Sequence, residues 1–458
     1  MSTIEENSVG FVPLGERHGR AHDLFTLWFT TNIAPLPIVT GAMAVQVFDL
    51  PLIWAATAIV FGNIVGALIL GACSAQGPQM GLAQMIQSRG QFGRYGALLV
   101  VGFATLLYLG FFTSNIVLAA KSVHALMPAI NTPSGAVISA LAAAIIAIMG
   151  YRTIHLLNRV GMWFMGIGLL AAGYNLVTSL PEGIWTQGEV TVFGWFSMFS
   201  LAAVWHLSYA CYTSDYSRYL PPQVGIRAPM LASFGGAATG TSASFMLGAI
   251  AVAGAPAGAD AMEIVSASVG VLAPVLLLLF ILNIVAHNAL NIYGAVLSLI
   301  TVIQTFAANW EPARRARIVM SIAVLLGCLA MATLTADFVP RFISFVIGLM
   351  IVLAPWVTIN ILDFYVVKRG RYDIASFFRH DGGIYGKFQL RAAIAYFLGI
   401  ACQIPMLNTP FYTGPVARAI GEVDIGWLVA FIVTGIAYFA LAPSTQGAAA
   451  LAPLPSRR

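Results

Sequence analysis

Twelve times along its length the chain returns to an apolar run long enough to cross a bilayer, with short polar segments between. A helix needs about 20 apolar residues to span the hydrocarbon core. The first five runs lie near 24–47, 51–75, 95–120, 134–150 and 157–178. Five more follow near 194–214, 228–254, 268–300, 316–335 and 340–362, and a final pair near 391–408 and 424–442. Charged residues make up only 9% of the chain and hydrophobic ones 59%, with a mean hydropathy of +0.87. A soluble chain needs about a quarter charged residues to face water. Lipid must therefore replace water around most of the exterior. The expected fold class is an all-α integral membrane protein of about twelve transmembrane helices.

Charge placement supports the same count. With the N-terminus inside, cytoplasmic segments take Arg17, Arg20, Arg89, Arg94, Arg152, Arg159, Arg218, Arg227, Arg314, Arg315 and Arg317. They also take Lys368, Arg369, Arg371, Arg379, Lys387, Arg391, Arg457 and Arg458. Those are 19 of 22 basic residues, leaving Lys121, Arg341 and Arg418 at outer ends, where the acidic Glu182, Glu189, Asp260, Glu263 and Asp337 gather. Positive charge is retained on the cytoplasmic side, so the net charge of +5 reflects insertion and implies no nucleic-acid partner. The expected division is a cytoplasmic tail (1–23), a core (24–362), a cytoplasmic connector (363–390), two further helices (391–442) and a second cytoplasmic tail (443–458). The polar first 23 residues argue against a cleaved signal peptide. Cys73, Cys211, Cys328 and Cys402 are far apart and sit in apolar runs, so they read as small core residues and form no metal motif.

Polarity inside the runs is concentrated. In WFTTNIAPLPIVTGAMAV, Pro35 and Pro37 fall near mid-membrane beside Asn32 and ahead of Gly41. Each lacks a backbone donor and clashes with the preceding turn, and broken helices at that depth are tolerated where they line a cavity. The sixth run, AVWHLSYACYTSDYSRYLPP, holds Trp205, His206, Ser208, Tyr209 and Thr213, then Asp215 and Arg218 one turn apart. It has no Gly or Pro at its middle, so a break is less evident, and Asp215 with Arg218 reads as a structural pair at the membrane surface. In the eighth run Asn283, His287 and Asn291 share one helical face within about 80°. That face must look into protein or water, while Asn288 points to a neighbouring helix. In the third run Thr105, Tyr108 and Phe112 share a face on which a flat solute could stack. The pattern leads to a secondary transporter for a small polar solute.

WFTTNIAPLPIVTG, TSDYSRYLP, NIVAHNALNIYGAVLSL and APWVTINILDFYVVKRGRYD, in this order and spacing, resemble the nucleobase–cation symporter family one, in its purine–cytosine permease branch. The resemblance covers essentially the whole chain. It implies two inverted five-helix repeats (about 24–178 and 194–362) plus two helices, with broken first and sixth helices framing the substrate. It also implies a planar heterocycle held between Tyr108 on the third helix and Trp205–His206 on the sixth, with His206 on the matching position. Thr105 stands for the neighbouring polar group, and Asn283 for the amide that reads the ring edge. Asn32, Phe112 and Ser208 complete the expected substrate set. Sodium-coupled relatives carry two adjacent hydroxyl residues on the eighth helix, completing a cage with first-helix carbonyls. Here Ala286 and His287 stand instead, so the resemblance points to proton coupling through His287, with Ala34 and Pro37 at the break. No cofactor is expected beyond the co-transported cation.

The expected cargo is a purine or pyrimidine base such as cytosine. Allantoin, hydantoins, uracil, thiamine or its pyrimidine precursor, and pyridoxine are rivals within the family. A passive channel is the rival class, but selectivity rings are not evident, and a membrane enzyme would need a metal or nucleophile constellation. The expected partners are the solute and the bilayer, with a monomer as functional unit in the cell membrane.

Overall fold

The computed structural model describes residues 10–149, 151–307, 310, 314–334, 338–409 and 412–441. Side chains at 148–162, 314, 338–340, 342–343 and 346–347 are not described. The charges of Arg152, Arg159, Arg314, Asp337, Arg457 and Arg458, and the tail 443–458, lie outside the described residues.

Every apolar run is helical. The first is split into α1 (Ala21–Asn32) and α2 (Pro35–Gln46). The next four runs are α3 (Leu52–Ser74), α6 (Ala97–Leu126), α7 (Thr132–Met149) and α8 (Tyr151–Ser179). Between α3 and α6 lie two short helices, α4 (Gln76–Met80) and α5 (Gln84–Phe92). The sixth run is also split, into α9 (Val192–Ala210) and α10 (Thr213–Ser217). It is followed by α11 (Arg227–Val252), the short α12 (Ala261–Ser268), α13 (Ala273–Phe306), α14 (Arg314–Leu334) and α15 (Phe338–Leu362). The chain closes with α16 (Leu390–Ala401), α17 (Pro415–Ala419) and α18 (Gly426–Ala440). Strands β1 (Asn408–Thr409) and β2 (Tyr412–Thr413) pair antiparallel between α16 and α17. Among the described residues, six helices are long and apolar enough to cross a membrane by length and composition alone.

The split helices enter the bundle from opposite ends. His18, just before α1, donates its N–H to the carbonyl of Tyr219, just after α10. Gly194, in the first turn of α9, lies beside the carbonyl of Phe48, just after α2. Two sets of five long helices therefore each open on a broken one, with opposite polarity.

Glycines allow the first broken helix to lie on α11 with backbones touching. A Cβ at Gly236 would fall 2.3 Å from the carbonyl of Phe25, and one at Gly240 would fall 2.7 Å from that of Phe29. On α2 the contact is reciprocal: a Cβ at Gly41 would stand 2.1 Å from the Phe245 carbonyl, and one at Gly248 1.8 Å from that of Ile38. Small residues permit this approach where lipid supplies no hydrophobic drive between helices.

The segment 363–390 is folded rather than a plain connector. Buried Asp363 accepts hydrogen bonds from Tyr372 Oη at 2.7 Å and Tyr438 Oη at 2.8 Å, and lies 3.0 Å from Lys368 Nζ. That ammonium sits over the rings of Tyr372 and Tyr385 and donates to the Gly90 carbonyl. Arg89 donates to the carbonyls of Phe377 and Thr301, and Arg94 to those of Thr305 and Arg379. Two arginines thus tie the loop to α5 and to the end of α13.

Candidate functional site

The break in the first run falls at Ile33–Ala34. Ala34 is extended (φ −142°, ψ 162°), and Pro35 and Pro37 occupy the first turn of α2. There a missing N–H costs nothing, because first-turn amides have no partner within the helix. The prolines therefore start a new half-helix. Amides meet the carbonyls at the end of α1: Asn283 Nδ2, from α13, donates to that of Thr30, freed by the break, at 3.0 Å, and Asn32 Nδ2 adds a bond to that of Trp28 at 2.7 Å. Ala34 O accepts from the Ile38 N–H at 3.3 Å.

The sixth run breaks at Cys211–Tyr212, with Tyr212 at φ −145°, ψ 12°. No Gly or Pro marks it. Its polar ends are capped from a distance: Gln84 Oε1 accepts from Ser214 N at 3.2 Å and Thr213 Oγ1 at 3.3 Å, and Asp215 Oδ1 accepts from Gln84 N at 2.7 Å. Asp215 and Arg218 are both buried, 2% and 0% exposed, and so lie inside the protein rather than at the surface where the sequence reading set them. Asp215 Oδ2 accepts from Tyr108 Oη at 3.1 Å, and Arg218 donates to Tyr219 Oη and Tyr293 Oη.

Between the two breaks lies an aromatic enclosure. Trp205 donates its indole N–H to Asn32 Oδ1 at 2.9 Å, which joins α9 to the end of α1. The Trp205 ring meets Phe111, Tyr209 and Phe245 edge-on at centroid distances of 5.7, 5.8 and 5.5 Å. Tyr209 lies at the centre, 5.6 Å from Trp28, 5.3 Å from Phe111 and 6.2 Å from His287. Among the buried polar atoms on these helices that have no hydrogen-bond partner are Trp28 Nε1, Thr31 Oγ1, Tyr209 Oη and Asn283 Oδ1. Buried polar groups are ordinarily paired, so such a group of orphans marks a place where a polar molecule can be received.

The structure thus brings Asn32, Trp205, Asn283 and His287 together around the breaks, with Ala34 and Pro37 at the first. Other expected residues take other partners. The third-helix ring facing Trp205 is Phe111, one turn beyond Tyr108. Tyr108 instead packs 4.5 Å from Tyr212 and against Gly294, where a Cβ would lie 2.0 Å from its ring. His206 turns to α3, with Nε2 3.0 Å from Asn63 Oδ1. Thr105 is half-buried and donates to the Val101 carbonyl of its own helix, and Ser208 likewise to that of Trp205. Phe112 contributes its carbonyl, which accepts from Asn288 Nδ2 at 3.2 Å. Asn288 does bind a neighbouring helix, and its Oδ1 accepts from both Asn115 and Asn291. Asn115, Trp28 and Phe111 escaped the sequence reading. Each sits in a mostly apolar stretch, where periodicity shows a face but not the depth at which helices face each other.

A pair of antiparallel broken helices, closed round polar atoms that lack partners, within a bundle of membrane-spanning length, defines a multi-pass membrane transport protein. Residues 11–430 match the family described as permease for cytosine/purines, uracil, thiamine, allantoin. The chain belongs to that family and is a permease, not an enzyme. It is 33% identical over 450 residues to the Bacillus subtilis protein YxlA, whose name places it with the purine-cytosine permeases, covering 96% of each chain. It is 25% identical over 471 residues to the purine-cytosine permease fcyB of Emericella nidulans, covering 96% of this chain and 88% of that one. The fold is that of Mhp1, a nucleobase-cation-symport-1 family transporter solved in a closed conformation with bromovinylhydantoin bound. The TM-score is 0.77 at 17% identity, with 99% and 98% of the two chains covered. Against the inward-facing conformation of Mhp1 it is 0.70 at 18% identity, with 96% and 95% covered.

Proposed function

We propose that this permease imports a planar nitrogen heterocycle, a purine or pyrimidine base such as cytosine, by cation symport through alternating access. The supporting observation is the enclosure itself: ring faces of Phe111, Trp205 and Tyr209 beside the unpartnered Trp28 Nε1, Tyr209 Oη and Asn283 Oδ1. Rings offer stacking, and the orphan atoms offer both donors and an acceptor, as the edge of a nucleobase requires. Asn32 and Trp205 hold the two broken helices in register, and Asn283 reads the ring edge. Both termini face the cytoplasm, following the distribution of arginine and lysine, and the monomer is the transporting unit.

The driving ion in this reading is the proton. Ala286 has no side-chain oxygen to offer sodium, and His287 is an imidazole buried against Tyr209. An imidazole titrates near neutrality. Uptake of labelled cytosine or adenine into proteoliposomes should proceed in sodium-free buffer under an imposed proton gradient. Strict dependence on sodium would remove the proton from the scheme. Allantoin, hydantoins, uracil, thiamine and pyridoxine belong in the same assay as competitors.

Asn283→Ala should abolish binding of the base by purified protein. It also strands the Thr30 carbonyl, at a cost of about 1–3 kcal/mol for a buried unpaired group. A monodisperse variant with unchanged affinity would take Asn283 out of the site.

A further inference from the structure

At the end of the bundle where α2 stops and α9 begins, a separate cavity of about 170 Å³ opens beside the enclosure. Its floor is one face of α9, with Ser197, Ser200, Leu201 and Val204. Its roof is formed by Asn408 of β1 and by Glu422 and Asp424, before α18. Phe48, Phe193 and Trp427 stand at its walls.

The polar fittings are built in, and they are acceptors. Gln403 is 1% exposed and lines the cavity, with Nε2 donating to the carbonyls of Ile351 and Gly399 at 2.8 Å each. Its Oε1 remains as the atom available to a guest. Asp424 is held by two backbone donors, Gly426 N to Oδ1 at 2.8 Å and Asn408 N to Oδ2 at 3.2 Å. A carboxylate has about four lone-pair positions, so each oxygen keeps capacity toward the cavity. Trp427 Nε1 donates to Ser200 Oγ at 3.0 Å. Among the described residues the lining includes two carboxylates and no lysine or arginine. A guest suited to this chemistry is flat, to lie against Phe193 and Trp427, and rich in N–H groups.

We propose that this cavity is a second, peripheral binding site for amino-substituted nitrogen heterocycles of the cargo's class, an inference that rests on the function proposed above. The two sites share α9. Val204 lines the peripheral cavity, while the next residue, Trp205, forms a wall of the central enclosure. A base resting against α9 would lie one residue away from the side chain that joins the two broken helices.

Ser197→Cys provides the test, since Cys73, Cys211 and Cys328 are buried and the half-buried Cys402 can be replaced by Ser. Purified full-length protein is labelled with a maleimide, with adenine as the probe. Adenine should slow labelling at position 197 several-fold, equally when the centre carries Trp205→Ala or Asn283→Ala. The protection should disappear with Asp424→Asn. Absence of protection, its loss in both central variants, its survival in Asp424→Asn, or equal protection by sodium chloride alone would each overturn the site. Adenine uptake by the parent protein separates the two claims. Uptake without protection removes only the peripheral site, whereas protection without uptake of any base keeps the site and removes the transport reading.

Discussion

Methionine in place of Lys368 should destabilise the protein by about 3 kcal/mol, the low end for breaking a buried ion pair by removing one partner. Asp363 is 1% exposed at its side chain and would be left, among the described residues, with the hydroxyls of Tyr372 and Tyr438 as partners. The ammonium also has two ring faces and the Gly90 carbonyl, so its loss loosens the folded loop as well as the pair. The thermal midpoint of purified Lys368→Met measures the effect, and Asp363→Asn combined with it should recover much of the loss. A midpoint equal to that of the parent would show that Tyr372 and Tyr438 suffice to hold the carboxylate.

Alanine at Trp205 should cost about 3–5 kcal/mol in stability, as for removal of a fully buried large aromatic. Three ring contacts disappear, and Asn32 Oδ1 loses its donor. Trp205→Phe separates the two effects: it keeps a ring among Phe111, Tyr209 and Phe245 but removes the N–H. It should retain most of the stability and lose about 1–3 kcal/mol through the stranded acceptor. In the proposed function, both variants also weaken retention of the base. Full stability in Trp205→Ala would mean that the neighbouring rings close over the gap.

The long helices were legible because a span announces itself through twenty consecutive apolar residues, and each observed helix overlaps its run. The first break was legible too, since two prolines leave few other conformations there. The second was not. Its stabiliser, Gln84, stands 130 residues from Ser214 in the chain, and no local pattern reports a cap delivered by another element. The same limit explains the third helix. Tyr108, Phe111 and Phe112 share much of one face, and only the relative depth of α6 and α9 sets Phe111 opposite Trp205. The loop 363–390 looked like a connector because its polar residues resemble any solvated turn. In fact Lys368 reaches the Gly90 carbonyl on α5, and the loop's own carbonyls at Phe377 and Arg379 accept from Arg89 and Arg94.

The glycine contacts along α11 have a mechanical consequence. Gly236 and Gly240 receive α1, and Gly248 receives α2, so a single helix carries both halves of the broken helix in shallow notches. Such notches resist separation yet offer no side chain to interlock, so they constrain tilt more than sliding. One half cannot swing about Ile33–Ala34 while the other stays seated unless it leaves its notch or α11 bends with it. In the alternating access proposed above, α1, α2 and α11 would therefore move as one three-helix assembly, with the break as its internal joint.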